Sequence, residues 1–163
     1  MSIANKMYYL GVETLNNPVP YFGSNGENKF IIETPDWLKN QIIEEFGDYF
    51  DPCPVNPQFD GLDIVWPTNK PIYVNPPYKR GQISKWVKKC YQENLRGCHI
   101  ILLIPSYTDT AYFHDFIYER KNVDLRFLRG RIKFKGYTQQ ASFPSMIVIF
   151  NPLNEWKGGW PLL

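Results

Sequence analysis

Ile72-Tyr73-Val74-Asn75-Pro76-Pro77-Tyr78 is the stretch on which the reading of this 163-residue chain turns. Ile72, Tyr73 and Val74 are β-branched or aromatic, the composition of a buried strand, and Asn69-Lys70-Pro71 bounds them in front. The strand stops hard: neither Pro76 nor Pro77 can donate to a ladder, and each holds the residue before it in extended backbone. A rigid loop at the carboxyl end of a strand is where open α/β sheets place their ligands. Asn75 offers an amide oxygen there, Pro76 a carbonyl that no helix uses, and Tyr78 a flat ring. Two acceptors and a stacking face are what an amino group on a planar ring requires, because its two hydrogens donate and its ring takes a π-partner. The plain alternative is a proline-stiffened turn in which Asn75 caps its own backbone. The turn's place, after a buried strand and directly before Lys79, Arg80 and Gly81, speaks against it.

Downstream, Ile83, Trp86, Val87 and Cys90 keep helical spacing, which predicts an amphipathic crossover helix over 82–95. An almost unbroken apolar run at 98–104 follows, the pattern of a strand buried on both faces. Strand, helix and buried strand together argue for a parallel sheet with a right-handed crossover. His99, at the entrance of that second strand, reads as structural. Residues 105–110, including Ser106, Tyr107 and Thr108, form a further strand-end loop beside the Asn75 loop. A helix is expected over 111–119, with Phe113, Phe116 and Ile117 on its apolar face; His114 points elsewhere. Residues 123–134 alternate as strand, turn and strand about Arg129-Gly130-Arg131. A loop at 136–144 and a last apolar strand at 146–150 close the pattern.

Upstream, Thr34-Pro35-Asp36 has the chemistry of a helix start: Thr34 as N-cap, Pro35 at the first helical position, an acid in the first turn. Trp37, Leu38, Ile42 and Phe46 then keep helical spacing up to Gly47. A short strand should end at Asp51, where Pro52-Cys53-Pro54 turns the chain out of the sheet. Asp60-Gly61-Leu62 reads as a tight turn, and Trp66 as a core residue. Residues 1–30 form a turn-rich lead-in with a short strand expected near 29–32, and residues 151–163 a tail.

The length bounds the chain to one ordinary domain, and 44% hydrophobic with 17% aromatic residues is a globular composition. No apolar run reaches the length of a membrane span. Cys53, Cys90 and Cys98 are odd in number and lack Cys-x-x-Cys spacing, which suggests neither a disulfide framework nor a zinc site and fits a reducing, cytosolic setting. Charge is unevenly spread. Residues 1–78 hold 4 basic against 10 acidic side chains, whereas residues 79–135 hold 13 against 5. A basic half that begins right after the motif suits a polyanionic partner; solvated helix faces account equally for Lys85, Lys88 and Lys89.

Asn75-Pro76-Pro77-Tyr78 after a hydrophobic strand resembles the catalytic motif of amino-group methyltransferases that use S-adenosylmethionine. The wider pattern over 34–150, an Asp-Pro-Cys before an Asp-Gly-Leu and a Trp and then this motif, is similar to the bacteriophage-type DNA N-6-adenine methyltransferases. The resemblance implies an α/β, Rossmann-like methyltransferase sheet, mostly parallel with an antiparallel C-terminal hairpin and helices on both faces. It implies S-adenosylmethionine as cofactor, DNA as partner, the N6 of an adenine that is flipped out or single-stranded as acceptor, no metal, and the cytoplasm of a phage-infected or prophage-carrying bacterium as the setting. Asn75, Pro76, Pro77 and Tyr78 take the catalytic roles. Thr34, Pro35, Asp51, Pro52, Cys53, Asp60 and Asn75 lie at the cofactor, and Tyr78, Lys79, Arg80, Tyr107, Arg129, Arg131 and Lys133 at the DNA. The chain departs from the related pattern where Cys53 replaces an aromatic and the usual glycine of the first cofactor loop is missing. Asp51 could hold an ammonium, or serve as a plain Asx-turn residue. The same four motif residues occur in methyltransferases acting on RNA bases or protein glutamine, and a non-catalytic nucleic-acid-binding module is the reading from a different class.

Overall fold

A computed structural model of the protein describes residues 32–153. Its elements run α1 (Asp36–Phe46), β1 (Ile72–Val74), α2 (Gln82–Leu95), β2 (Ile100–Pro105), α3 (Ala111–Phe116), β3 (Val123–Phe127) and β4 (Ser145–Phe150). The strands form one sheet in the order β1-β2-β4-β3. The lead-in, its expected strand near 29–32 and most of the tail lie outside the described residues.

β1 and β2 are parallel, with Ile72 opposite Ile100 and Val74 opposite Leu102. β4 is antiparallel to both of its neighbours, β2 and β3. The sheet is therefore mixed, not mostly parallel. The parallel expectation came from one crossover, α2; after β2 the chain passes through α3 to the far edge, and β4 returns between β3 and β2. That central place explains why all six residues of β4 are buried, as are all six of β2. The C-terminal pair is antiparallel as expected, but its halves are β3 and β4. The strand-turn-strand expected over 123–134 is absent: beyond Phe127 the chain leaves the sheet, and Ile132 and Phe134, each 2% exposed, pack over one of its faces. The short strand before Asp51 shrinks to one parallel bridge, Phe50 to Ile72, in which Tyr73 N donates to Phe50 O at 2.9 Å.

Alternation along the strands builds two cores. Ile72, Val74, Leu102 and Val148 face Trp86, Val87 and Cys90 of α2 and Phe113 of α3. Tyr73, Ile101, Leu103 and Ile147 face Leu38 and Ile42 of α1, with Ile132, Phe134 and Phe143 alongside. Helices thus cover both faces, and each fully buried large side chain contributes about 1.5–3 kcal/mol. Trp66 is 1% exposed and donates from Nε1 to Gly61 O at 2.8 Å.

Two helix ends differ from the sequence expectation. The N-cap of α1 is Pro35, whose carbonyl accepts from Leu38 N and Lys39 N, and no side chain caps it. Thr34 fails to cap because its hydroxyl is engaged elsewhere. α3 stops at Phe116, three residues early: Tyr118 N reaches back to Phe113 O at 2.8 Å, and Glu119 takes a left-handed φ of 56°.

Candidate active site

The loop after β1 carries the candidate site. Asn75 is half-buried, and its Nδ2 donates to Ile32 O and, at 3.1 Å, to Thr34 Oγ1. Its Oδ1 is buried with no hydrogen-bond partner among the described residues. Buried acceptors in native proteins are rarely left so, since an unmet polar group costs about 1–3 kcal/mol. Pro76 is buried, and no main-chain donor among the described residues reaches its carbonyl. Pro77 is half-buried.

Tyr78 is half-buried too, and its hydroxyl donates to Leu103 O at 3.2 Å. Its ring meets Phe134 and Phe143 edge to face, with centroids 5.8 and 5.4 Å away. Burial, and secondarily the phenols of Tyr73 and Tyr112, push its hydroxyl well above the usual phenol range, so it stays a protonated donor. Phe134 and Phe143, a strand and a loop residue by pattern, are brought here only by the folded path of residues 128–144.

Thr34 is 2% exposed and lies 2.7 Å from Tyr73 OH through its Oγ1. By pattern Tyr73 is simply a strand residue. A phenol in a buried strand needs a polar partner, and that was the available signal. Pro35 is buried beside it.

Asp51 begins a turn in which its Oδ1 accepts from Cys53 N at 2.8 Å, so the Asx-turn geometry is present. It makes no ion pair among the described residues. Burial raises its carboxyl above the ordinary range, against smaller lowering influences from the Cys53 amide and the Lys39 charge. The Cys53 thiol is pushed up to about 12, mainly by burial and then by Asp51 and Asp60. Asp60 is exposed, and its Oδ1 accepts from Leu62 N at 2.9 Å. Gly61 locks these two loops together, because a Cβ there would stand 2.0 Å from Pro52 O.

Lys79, Arg80, Tyr107, Arg129, Arg131 and Lys133 are exposed. Leu128 N donates to Ser145 O, which holds the Arg129–Arg131 turn at the same end of the sheet as Asn75 but beyond β3, the opposite edge strand. Arg129, Arg131 and Lys133 form no ion pair among the described residues, whereas Lys135 is bridged to Glu33 and Asp36 at 3.3 Å each and Arg126 to Glu45. Part of the basic half therefore folds back to neutralise the acidic half. A surface depression of about 430 Å³ beside Arg96 and His99 opens at the opposite end of β1 and β2.

An α/β protein with an oriented amide oxygen at the carboxyl end of its sheet, flanked by a carboxylate turn, is the class that fold and site define. Within that class, the DNA N-6-adenine-methyltransferase (Dam) family model matches residues 25–159, and the chain belongs to that family. Membership implies DNA adenine methyltransferase activity in general. Neither the curated proteins nor the solved structures contain a match to it. No helix among the described residues is long and apolar enough to cross a membrane.

Proposed function

We propose that the protein transfers a methyl group from S-adenosylmethionine to the N6 amine of adenine in DNA. The observation that carries this reading is the Asn75 amide: nitrogen tied down, oxygen buried and unmatched. Adenine cannot present N6 for attack inside a duplex, so the base is flipped out or already single-stranded. Asn75 Oδ1 and the Pro76 carbonyl accept the two N6 hydrogens, and the ring of Tyr78 stacks on the base. Pro77 stiffens the bend that holds them. The oxygens orient the nitrogen lone pair and meet the positive charge that grows on N6, so the protein acts chiefly by alignment and placed dipoles.

The residues on the cofactor side fit their proposed ligand. Asp51 is a half-buried carboxylate without an ion pair among the described residues, which suits an ammonium; Pro52 and Cys53 continue its turn, and the Asp60 charge acts on the Cys53 thiol. Bound S-adenosylmethionine supplies an electrophilic methyl on a sulfonium. We read the parallel β1-α2-β2 unit as the core of a Rossmann-like methyltransferase sheet of the bacteriophage type. Lys79, Arg80, Arg129, Arg131 and Lys133 contact phosphate, and Tyr107 the neighbourhood of the target nucleotide. Incubation with labelled S-adenosylmethionine and unmethylated DNA, followed by nucleoside analysis, should yield N6-methyladenine. Label that survives nuclease digestion in protein, or appears only with RNA, would replace DNA as the substrate.

A further inference from the structure

We propose that Thr34 and the main-chain carbonyl of Ile32 are positioning groups for the Asn75 amide, fixing which of its two ends faces the acceptor amine. The inference rests on the methyltransferase reading for its functional meaning, though not for its geometry. A primary amide is nearly the same shape when turned end for end, yet one end only accepts hydrogen bonds and the other only donates. Turned the wrong way, Asn75 would present its own amino group to the N6 amine, donor against donor. The Ile32 carbonyl can only accept, and Asn75 Nδ2 donates to it and to Thr34 Oγ1. Reversing the amide would set Oδ1 against the Ile32 oxygen with no hydrogen between them.

Thr34 is itself held. Its hydroxyl pairs with Tyr73 OH at 2.7 Å on a strand residue two positions before Asn75, so the Thr34 oxygen cannot wander. The segment around it is pinned as well. Ile32 is 5% exposed in one of the two cores, Glu33 O accepts from Lys135 N at 3.0 Å, and Pro35 is buried. Thr34 therefore acts on transfer through Asn75. Its hydroxyl also missed its role as helix cap for this reason.

The test compares wild type, Thr34→Val, Thr34→Ser and Tyr73→Phe. The first readout needs no cofactor: the Asn75 side-chain amide resonances, assigned by their loss in Asn75→Ala, and their hydrogen-exchange rates. Wild type and Thr34→Ser should show protected amide protons; Thr34→Val should exchange at least about tenfold faster, as expected when one of two hydrogen bonds is removed. The second is kinetic. Thr34→Val should lower kcat by about 10- to 100-fold with KM for S-adenosylmethionine within about twofold, and Thr34→Ser should recover most of it. Equal protection in Thr34→Val and wild type, unchanged kcat, or a change confined to KM would overturn the proposal. Should Thr34→Val fail to fold, Tyr73→Phe carries the same test, with faster exchange and a several-fold lower kcat expected and wild-type values for both overturning it. A wild type with a protected Asn75 amide but no methyl transfer sinks the methyltransferase reading and leaves the amide's positioning standing.

Discussion

A cluster of three asparagines and the single Asn75 sit at opposite ends of the sheet, and they are bonded in opposite ways. At the amino end of β2, Asn94 donates to Cys98 O at 2.9 Å and Asn151 O at 3.0 Å, and its oxygen accepts from Asn122 Nδ2 at 2.8 Å. Asn122 Nδ2 also donates to Asn151 O, and Asn151 Nδ2 to Asp124 Oδ2 at 2.8 Å. This cluster ties the end of α2 to the edges of β2, β3 and β4 and leaves no end of the Asn94 amide unused. At the carboxyl end of β1, Asn75 spends only its nitrogen on the fold. A closed network is scaffold; a half-closed one, held rigid by its closed half, keeps one acceptor unmatched, which is what the proposed role of Asn75 uses.

The sharpest way to break that contrast is to remove each amide in turn. Asn75→Ala should lower methyl transfer by about a thousandfold, the scale set by removing a preorganised polar group from a developing charge. Its thermal stability should fall by less than that of Asn94→Ala, because removing the unmatched Oδ1 offsets part of the cost of stranding the Ile32 carbonyl. A variant that keeps normal turnover would end the assignment. Asn94→Ala should do the reverse: it strands the Cys98 carbonyl and takes one partner each from the Asn151 carbonyl and the Asn122 amide, and the loss should be about 2 kcal/mol by urea unfolding, with kcat of the folded protein unchanged.

The same logic separates the arginines. Arg126 makes two hydrogen bonds to Glu45, at 2.6 and 2.7 Å, joining β3 to α1. Arg129 and Arg131 are exposed on the turn beyond it, without an ion pair among the described residues. Each lost phosphate contact should make the dependence of DNA affinity on log salt shallower by about 1. Fluorescence anisotropy across a salt series should therefore show a shallower slope for Arg129→Ala and Arg131→Ala, and an unchanged slope for Arg126→Ala with a lower melting temperature. Equal slopes in all three would take the turn out of the DNA interface.

How much of this was legible in the sequence depended on the range of the signal. The bend after β1 and the full extent of α2 follow from local chemistry: prolines that cannot donate, and apolar residues at helical spacing. The buried runs at β2 and β4 were legible as strands, but their relative direction was not, because burial on both faces looks alike in parallel and antiparallel sheets. The second strand expected up to Phe134 is absent: Ile132 and Phe134 alternate with charged neighbours, as an edge strand would, but their burial comes from packing over a face of the sheet; the loop at 136–144 is present as expected. Thr34 has the chemistry of a cap, and only a partner 39 positions away in sequence, Tyr73, diverts it. Asn94 and Glu93 lie on the buried side of α2, where polar residues at the end of a helix read as solvent-facing until their partners are known.

Asp51 falls between the asparagine cluster and Asn75, with one oxygen given to the Cys53 amide and its charge unpaired among the described residues. Burial raises its folded pKa, and a carboxyl raised in this way adds stability that is complete below its ordinary value and lost as pH rises through the raised one. Asp51→Asn keeps an oxygen for the turn and removes the buried charge. Its melting temperature should therefore equal or exceed that of wild type at pH 8, and the gap should close as the pH approaches 4. Calorimetry should show the cost on the other side, about tenfold weaker binding of S-adenosylmethionine, on the scale of one lost charge-assisted hydrogen bond. A variant both less stable at pH 8 and unchanged in cofactor affinity would make Asp51 part of the closed network, on the same footing as Asn94.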